Sequence, residues 1–144
     1  MKLRDIMTKQ VQEVPPEATL QEAAQLMKSI DTGALPVCDH HRLIGMITDR
    51  DITIRGTASG QSPQQAHVSD VMTNDLIFCY EDEDVEEAAR LMEARQIRRL
   101  PVLDRSKRLV GIVSLGDIAV RQHNDALSGE VLEQVSQPVQ QHLM

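Results

Sequence analysis

The chain has 144 residues, a formal net charge of -7, 41% hydrophobic residues and a single Tyr and Phe with no Trp. That length makes one compact domain, or two half-domains sharing a core built from Val, Ile, Leu, Ala and the adaptable Met. The acidic balance argues against nucleic acid and anionic membranes as partners, and no run approaches the roughly 18 apolar residues of a membrane span.

Met1–Thr8 lacks the apolar stretch of a signal peptide, so a cytoplasmic protein is expected. A short helical turn is predicted over 3–7 and a strand near Val11–Val14. An amphipathic helix follows, with Thr19 as N-cap, Glu22 at capping-box spacing, and Ala23, Ala24, Leu26, Met27 and Ile30 on one face. Leu35–Cys38 reads as a strand with Pro36 near its start, where a missing N–H is tolerated. A polar turn, Asp39–Arg42, leads to a second strand, Leu43–Ile47, and then to a closing helix capped by Thr48. Gly56–His67, rich in Gly, Ser and Gln, is a surface connector. The order then recurs: a turn over 68–72, a strand over Leu76–Cys79, a helix carrying Val85, Ala88, Ala89, Leu91 and Met92, two strands, and a helix capped by Ser114. The tail continues in helical pattern through Ala126, Leu127, Val131, Leu132 and Val135 until Pro138.

The recurrence is an internal repeat. Asp5-Ile6-Met7-Thr8 falls on Asp70-Val71-Met72-Thr73, a shift of 65, as do Glu22-Ala23-Ala24 on Glu87-Ala88-Ala89 and Leu35-Pro36-Val37 on Leu100-Pro101-Val102. One extra residue after Asp104 makes the shift 66, so that Gly45, Thr48, Asp51 and Arg55 fall on Gly111, Ser114, Asp117 and Arg121. The expected organisation is repeat one over 1–60, a connector over 61–67, repeat two over 68–122 and a helical tail over 123–144. The fold class is α/β: two strand-helix-strand-strand-helix repeats about a pseudo-twofold axis, packed sheet to sheet because units of about 60 residues are marginal alone.

Met7-Thr8 and Met72-Thr73, Ala34–Val37 and Arg99–Val102, and Gly45–Ile52 and Gly111–Ile118 occur in the same order in both copies. In this the chain resembles the tandem CBS domain pair, or Bateman module, and small stand-alone bacterial members in particular. The resemblance implies a regulatory sensor, usually a homodimer, that binds an adenosine-containing ligand: AMP, ADP, ATP, NAD or S-adenosylmethionine. No catalytic residue, metal or required cofactor is implied, and a protein partner is possible. Asp51 and Asp117 fall on the ribose-binding carboxylate, and Thr48 and Ser114 on the hydroxyl of the same Thr/Ser-x-x-Asp element. Met46 and Ile112 would line the base. Family geometry adds Ile77, Ile97 and Arg98 to the Asp51 site, and Gln12, Thr32 and Gly33 to the Asp117 site. Members often carry a basic residue before the Leu-Pro-Val strand. Here Arg98-Arg99 supply it in the second copy, while the first has Gly33-Ala34, so unequal sites are expected, with phosphate favoured beside Asp117.

The residues also allow plainer readings. Thr48–Asp51 and Ser114–Asp117 sit three apart at a helix start, so they can cap it, and the same terminus offers N–H groups to a phosphate. Arg98-Arg99 can be a solvated or dimer-interface cluster. Arg55 and Arg121 can pair with Asp51 and Asp117 along the helix or reach a phosphate. Phe78 and Tyr80 share a strand face and serve as core or dimer contact, or stack on a base. Cys38 and Cys79 have neither metal-type spacing nor a disulfide framework and are expected as buried thiols. His40-His41 lacks a third ligand, so no metal is expected there. With no nucleophile–base pair, P-loop or dinucleotide turn, an enzyme is not expected. The remaining alternative is an interaction module of the same family that binds no nucleotide.

Overall fold

The computed structural model describes residues 1–128. The described residues form two compact units: one comprises 1–11, 78–105 and 110–128, and the other comprises 12–77 with 106–109. Each unit is mixed α/β with its own sheet.

In the unit of 12–77, α1 (Leu20–Ile30) starts at Thr19, whose hydroxyl accepts the Glu22 N–H at 3.1 Å while the Glu22 carboxylate accepts the Thr19 N–H at 2.9 Å. This is the expected capping box. The helix buries Leu20, Ala23 and Met27 and ends at Asp31 in the left-handed region. β1 (Ala34–Asp39) and β2 (Arg42–Thr48) pair antiparallel, with a bulge between Val37 and Cys38. His40 and His41 have φ of 52° and 68°, the pair of positive values that a tight hairpin turn requires. The strand expected over Val11–Val14 is reduced to one parallel bridge, Val14 to Val37. Pro15 and Pro16 follow at once, and neither has an N–H to continue a ladder.

The closing helix of this copy is not regular. After Asp49 and Arg50 it widens into a π-helix, Asp51–Gly56, and then tightens into a 3-10 turn, Thr57–Ser59. Gly56 is buried there, and a β-carbon on it would lie 2.9 Å from Leu20 Cδ1, so the chain comes closer to α1 than a larger residue permits. The β-branched run Ile52-Thr53-Ile54 before a glycine also weakens α geometry. The connector is more than a surface link. Ala66 is buried, and the Pro63 and Ala66 carbonyls accept the N–H groups of Gln21 and Leu20 at the α1 N-terminus. α2 (Val68–Val71) completes a core of Val14, Leu20, Ala23, Met27, Leu35, Val37, Ile47, Ala66, Val68 and Val71.

The other unit repeats the plan with more regular parts. β3 (Cys79–Tyr80), β4 (Arg99–Leu103) and β5 (Leu109–Ser114) form a three-stranded sheet in that order, β3 running parallel to β4. α3 (Val85–Arg95) buries Val85, Ala88 and Met92, and α4 (Leu115–Ser128) replaces the distorted helix of the first copy. Leu3, in a 3-10 turn over Leu3–Asp5, is fully buried in this unit, and the Leu3 and Arg4 N–H groups bond to the carbonyls of Glu83 and Glu81. The expected tail is helical as far as Ser128; its part at Val131, Leu132, Val135 and Pro138 lies outside the described residues.

The two sequence copies therefore exchange their leading segments, each within one unit. Thr8 trades both backbone hydrogen bonds with Ile112 (2.8 and 3.0 Å), and Thr73 does the same with Met46 (2.8 and 3.0 Å). Each Met-Thr pair extends the last strand of the other copy. Gly45 and Gly111 make this possible: a β-carbon on Gly45 would lie 2.9 Å from both Met72 Sδ and the Thr73 carbonyl oxygen, and one on Gly111 would lie 2.6 Å from Met7 Sδ and 2.9 Å from the Thr8 oxygen.

A paired hydroxyl and carboxylate at each helix start

Both Thr/Ser-x-x-Asp elements have the same geometry. The Thr48 hydroxyl accepts the Asp51 N–H at 3.0 Å, and Asp51 Oδ2 accepts the Thr48 N–H at 3.0 Å. The Ser114 hydroxyl accepts the Asp117 N–H at 3.0 Å, and Asp117 Oδ2 accepts the Ser114 N–H at 2.9 Å. Each pair is thus a reciprocal cap. The cap uses one oxygen of each carboxylate and only the acceptor side of each hydroxyl. Among the described residues, Oδ1 of both aspartates and the hydroxyl protons of Thr48 and Ser114 have no hydrogen-bond partner. All four residues are half-buried, so these groups are held in place by the backbone while still reachable from solvent. Capping and ligand binding are compatible here.

Each element is met, within its own unit, by the turn before the proline strand. The Asp49 N–H donates to the Gly33 carbonyl at 2.9 Å, and the Leu115 N–H donates to the Arg98 carbonyl at 2.8 Å. Gly33 thus sits at the Thr48–Asp51 element and Arg98 at the Ser114–Asp117 element. Thr32 bonds locally to Ala34 through its hydroxyl. Arg98 and Arg99 are exposed, and Ile97 is half-buried. Beside them is a hollow of about 510 Å³ lined by Met92, Gln96, Ile97, Arg98 and Leu115 among others. Met46 and Ile112 are half-buried on the last strands. Gln12 is exposed and Ile77 half-buried, at the two ends of the 12–77 segment.

The alternatives for the remaining residues resolve unevenly. Tyr80 packs edge-on against Phe78, with ring centroids 5.4 Å apart, and the Arg105 guanidinium lies 4.1 Å over the Tyr80 ring. Arg105 is held there by two hydrogen bonds to Asp82, at 2.8 and 3.0 Å, which also keep the Asp82 carboxyl below its ordinary pKa. Tyr80 thus already has a cation on its face. Arg55 reaches the Met72 carbonyl at 3.4 Å. Cys38 and Cys79 are buried free thiols whose pKa values are pushed up to about 12 by burial, helped by Glu13 beside Cys38 and Glu83 beside Cys79. His41 Nδ1 lies 3.2 Å from Glu13, and His40 Nδ1 lies 2.8 Å from Asp39. Among the described residues, no group of three His, Cys, Asp or Glu side chains could hold a metal ion, and no helix is long and apolar enough to cross a membrane.

Sequence reasoning missed two contributors. Asp49 stands over Gly33, and the Met-Thr pair of each copy supports Met46 or Ile112 of the other copy. The second signal was visible as a repeated dipeptide opposite a repeated glycine. The first was hidden, because Asp49 has no counterpart in the second copy, where Leu115 stands.

Two units of this plan, each with a Gly-x-x-Thr/Ser-x-x-Asp stretch running from a strand into a helix, define a class of tandem-repeat module. The CBS domain family model matches residues 3–55 and 68–124, and the chain belongs to that family. It is 46% identical over 134 residues to the CBS domain-containing protein YhcV of Bacillus subtilis, covering 93% of this chain and 94% of that one. Among solved structures, hypoxic response protein I with two coordinated zinc ions, whose Mycobacterium tuberculosis sequence also matches, aligns with a TM-score of 0.77 and 42% identity over 84% of this chain and 98% of that one. CBSX2 in complex with AMP aligns with a TM-score of 0.72 and 28% identity over 87% and 97%. The CBS pair of MJ0100 in complex with 5′-methylthioadenosine and S-adenosylmethionine aligns with a TM-score of 0.69 and 30% identity over 87% and 98%.

Proposed function

We propose that this chain is a non-catalytic, cytoplasmic, homodimeric sensor of adenosine-containing ligands. The observation that carries the reading is the reciprocal cap, present twice, which leaves one carboxylate oxygen and one hydroxyl proton unused at each helix start. A ribose offers two adjacent hydroxyls, and a carboxylate accepting from such groups gains roughly 1.5–3 kcal/mol per hydrogen bond. Asp51 and Asp117 are the ribose acceptors, Thr48 and Ser114 donate beside them, and Met46 and Ile112 offer apolar surface to a base. Within the units Gly33 stands at the Asp51 element and Arg98 at the Asp117 element, where the resemblance pairs Gly33, with Gln12 and Thr32, to Asp117 and Arg98, with Ile77 and Ile97, to Asp51. The complexes of CBSX2 with AMP and of MJ0100 with 5′-methylthioadenosine and S-adenosylmethionine support this ligand class. Arg98 and Arg99, both exposed, favour a phosphorylated ligand at the Asp117 element. Binding signals by favouring one association state over another, to the extent that the two states differ in affinity.

The test is a thermal-shift panel of AMP, ADP, ATP, NAD, adenosine and S-adenosylmethionine. At a ligand concentration of 100 times Kd the stabilisation is about 2.7 kcal/mol, or roughly 5–11 °C for a chain of this size. If no member shifts the melting temperature at millimolar concentration, the chain is an interaction module instead.

A further inference from the structure

The two helix starts differ at one position in a way that bears on ligand charge. In the first copy the Asp49 carboxylate lies over Gly33, with Oδ2 3.0 Å from where a β-carbon on Gly33 would stand. Its Oδ1 accepts the Arg50 N–H at 2.8 Å. That N–H is one of the donors which a helix N-terminus leaves unpaired and offers to an anion. Here the chain supplies the anion itself. In the second copy the matching residues are Leu115 and Gly116. Among the described residues the only side-chain bonds at that helix start are those of Ser114 and Asp117, and the nearest atom to a β-carbon on Gly116 would be Ser114 Oγ at 3.6 Å. The turn opposite carries Arg98 where the first copy has Gly33, so the local charge is inverted between the copies.

We propose that Asp49 sets ligand choice at the Thr48–Asp51 element. Its carboxylate fills the place of an anionic ligand group, so this element takes adenosine ligands without a 5′ phosphate. The inference rests on the function proposed above and adds the substrate class of one site. Asp49 is exposed and makes its bonds with backbone, so it acts through charge and occupancy rather than by holding the core. A unit charge moved from beside a phosphate changes affinity by about tenfold at effective protein dielectric, even over a separation of several ångströms.

The experiment uses the full chain with Asp117→Ala, which leaves the Asp51 element as the ribose site, and calorimetric titration with adenosine and with AMP. Adenosine is expected to bind at least tenfold tighter than AMP. Adding Asp49→Asn should raise the ratio of AMP to adenosine affinity about tenfold, and Asp49→Leu, the second-copy residue, should do the same. Melting curves check that both variants fold. A ratio unmoved by either variant leaves Asp49 as a helix cap only and overturns the proposal. Loss of adenosine binding in Asp117→Ala also overturns it. If wild type binds neither compound, the adenosine-sensor reading itself fails, a result distinct from an unmoved ratio.

Discussion

Gly45→Ala tests the seam at which the leading segment of one copy joins the last strand of the other. The added methyl would stand 2.9 Å from Met72 Sδ and 2.9 Å from the Thr73 carbonyl oxygen. The sulfur can swing aside, but the oxygen cannot, because Thr73 exchanges both backbone hydrogen bonds with Met46 at 2.8 and 3.0 Å. Overpacking of this kind costs about 1–3 kcal/mol, and weakening the two hydrogen bonds adds roughly 1 kcal/mol. The sum, about 2–4 kcal/mol, should lower the melting temperature by roughly 4–16 °C. Gly116→Ala is the matched control. Its β-carbon meets nothing closer than 3.6 Å, and alanine is better than glycine in a helix by up to about 1 kcal/mol, so the melting temperature should hold or rise. Differential scanning calorimetry of both variants decides the matter. Gly45→Ala melting within about 2 °C of wild type would refute the claim that close backbone approach selects glycine here.

Asp117→Ala should weaken AMP binding by about one to two orders of magnitude, and Asp51→Ala should weaken adenosine binding comparably, both measured by calorimetry. Thr19→Ala removes the α1 cap and should cost about 1 kcal/mol in urea unfolding, with no effect on ligand affinity. Cys38 and Cys79 are raised from 9.0 to about 12, so the folded state prefers the thiol. Their contribution to stability is intact below pH 9 and is lost as pH rises toward 12, and alkylation at pH 8 should label them only after unfolding. Arg105→Ala should raise the Asp82 pKa toward its ordinary value, as NMR titration would read, because the two hydrogen bonds that hold it down are gone.

Much of the fold was legible because the sequence says most things twice. The Thr19 capping box, the strand opening with Pro36 and the two helix starts follow local rules and formed as those rules require. The first strand did not, since a Pro-Pro pair after Val14 cut it to a single bridge. The π-helix was not readable either: it depends on how closely Gly56 approaches Leu20, a tertiary fact. At the candidate site, Thr48, Asp51, Ser114 and Asp117 were legible as a spacing. Asp49 was not, because its meaning comes from Gly33, 16 positions earlier, which only folding brings beside it.

The exchange of leading segments changes what counts as a separable piece of this chain. A fragment ending at residue 60 would keep Leu3 without the carbonyl of Glu83 that pairs its N–H, and would lack Ala66, Val68 and Val71, three members of its own core. The natural scissors fall instead near 11/12 and 77/78, so that ownership of residues follows contacts and not ancestry. A nascent chain feels the same asymmetry. Leu3 and Arg4 must wait for Glu83 and Glu81 to emerge, and Thr8 for Ile112, before they have partners to join, whereas Met72-Thr73 find Gly45-Met46 already made.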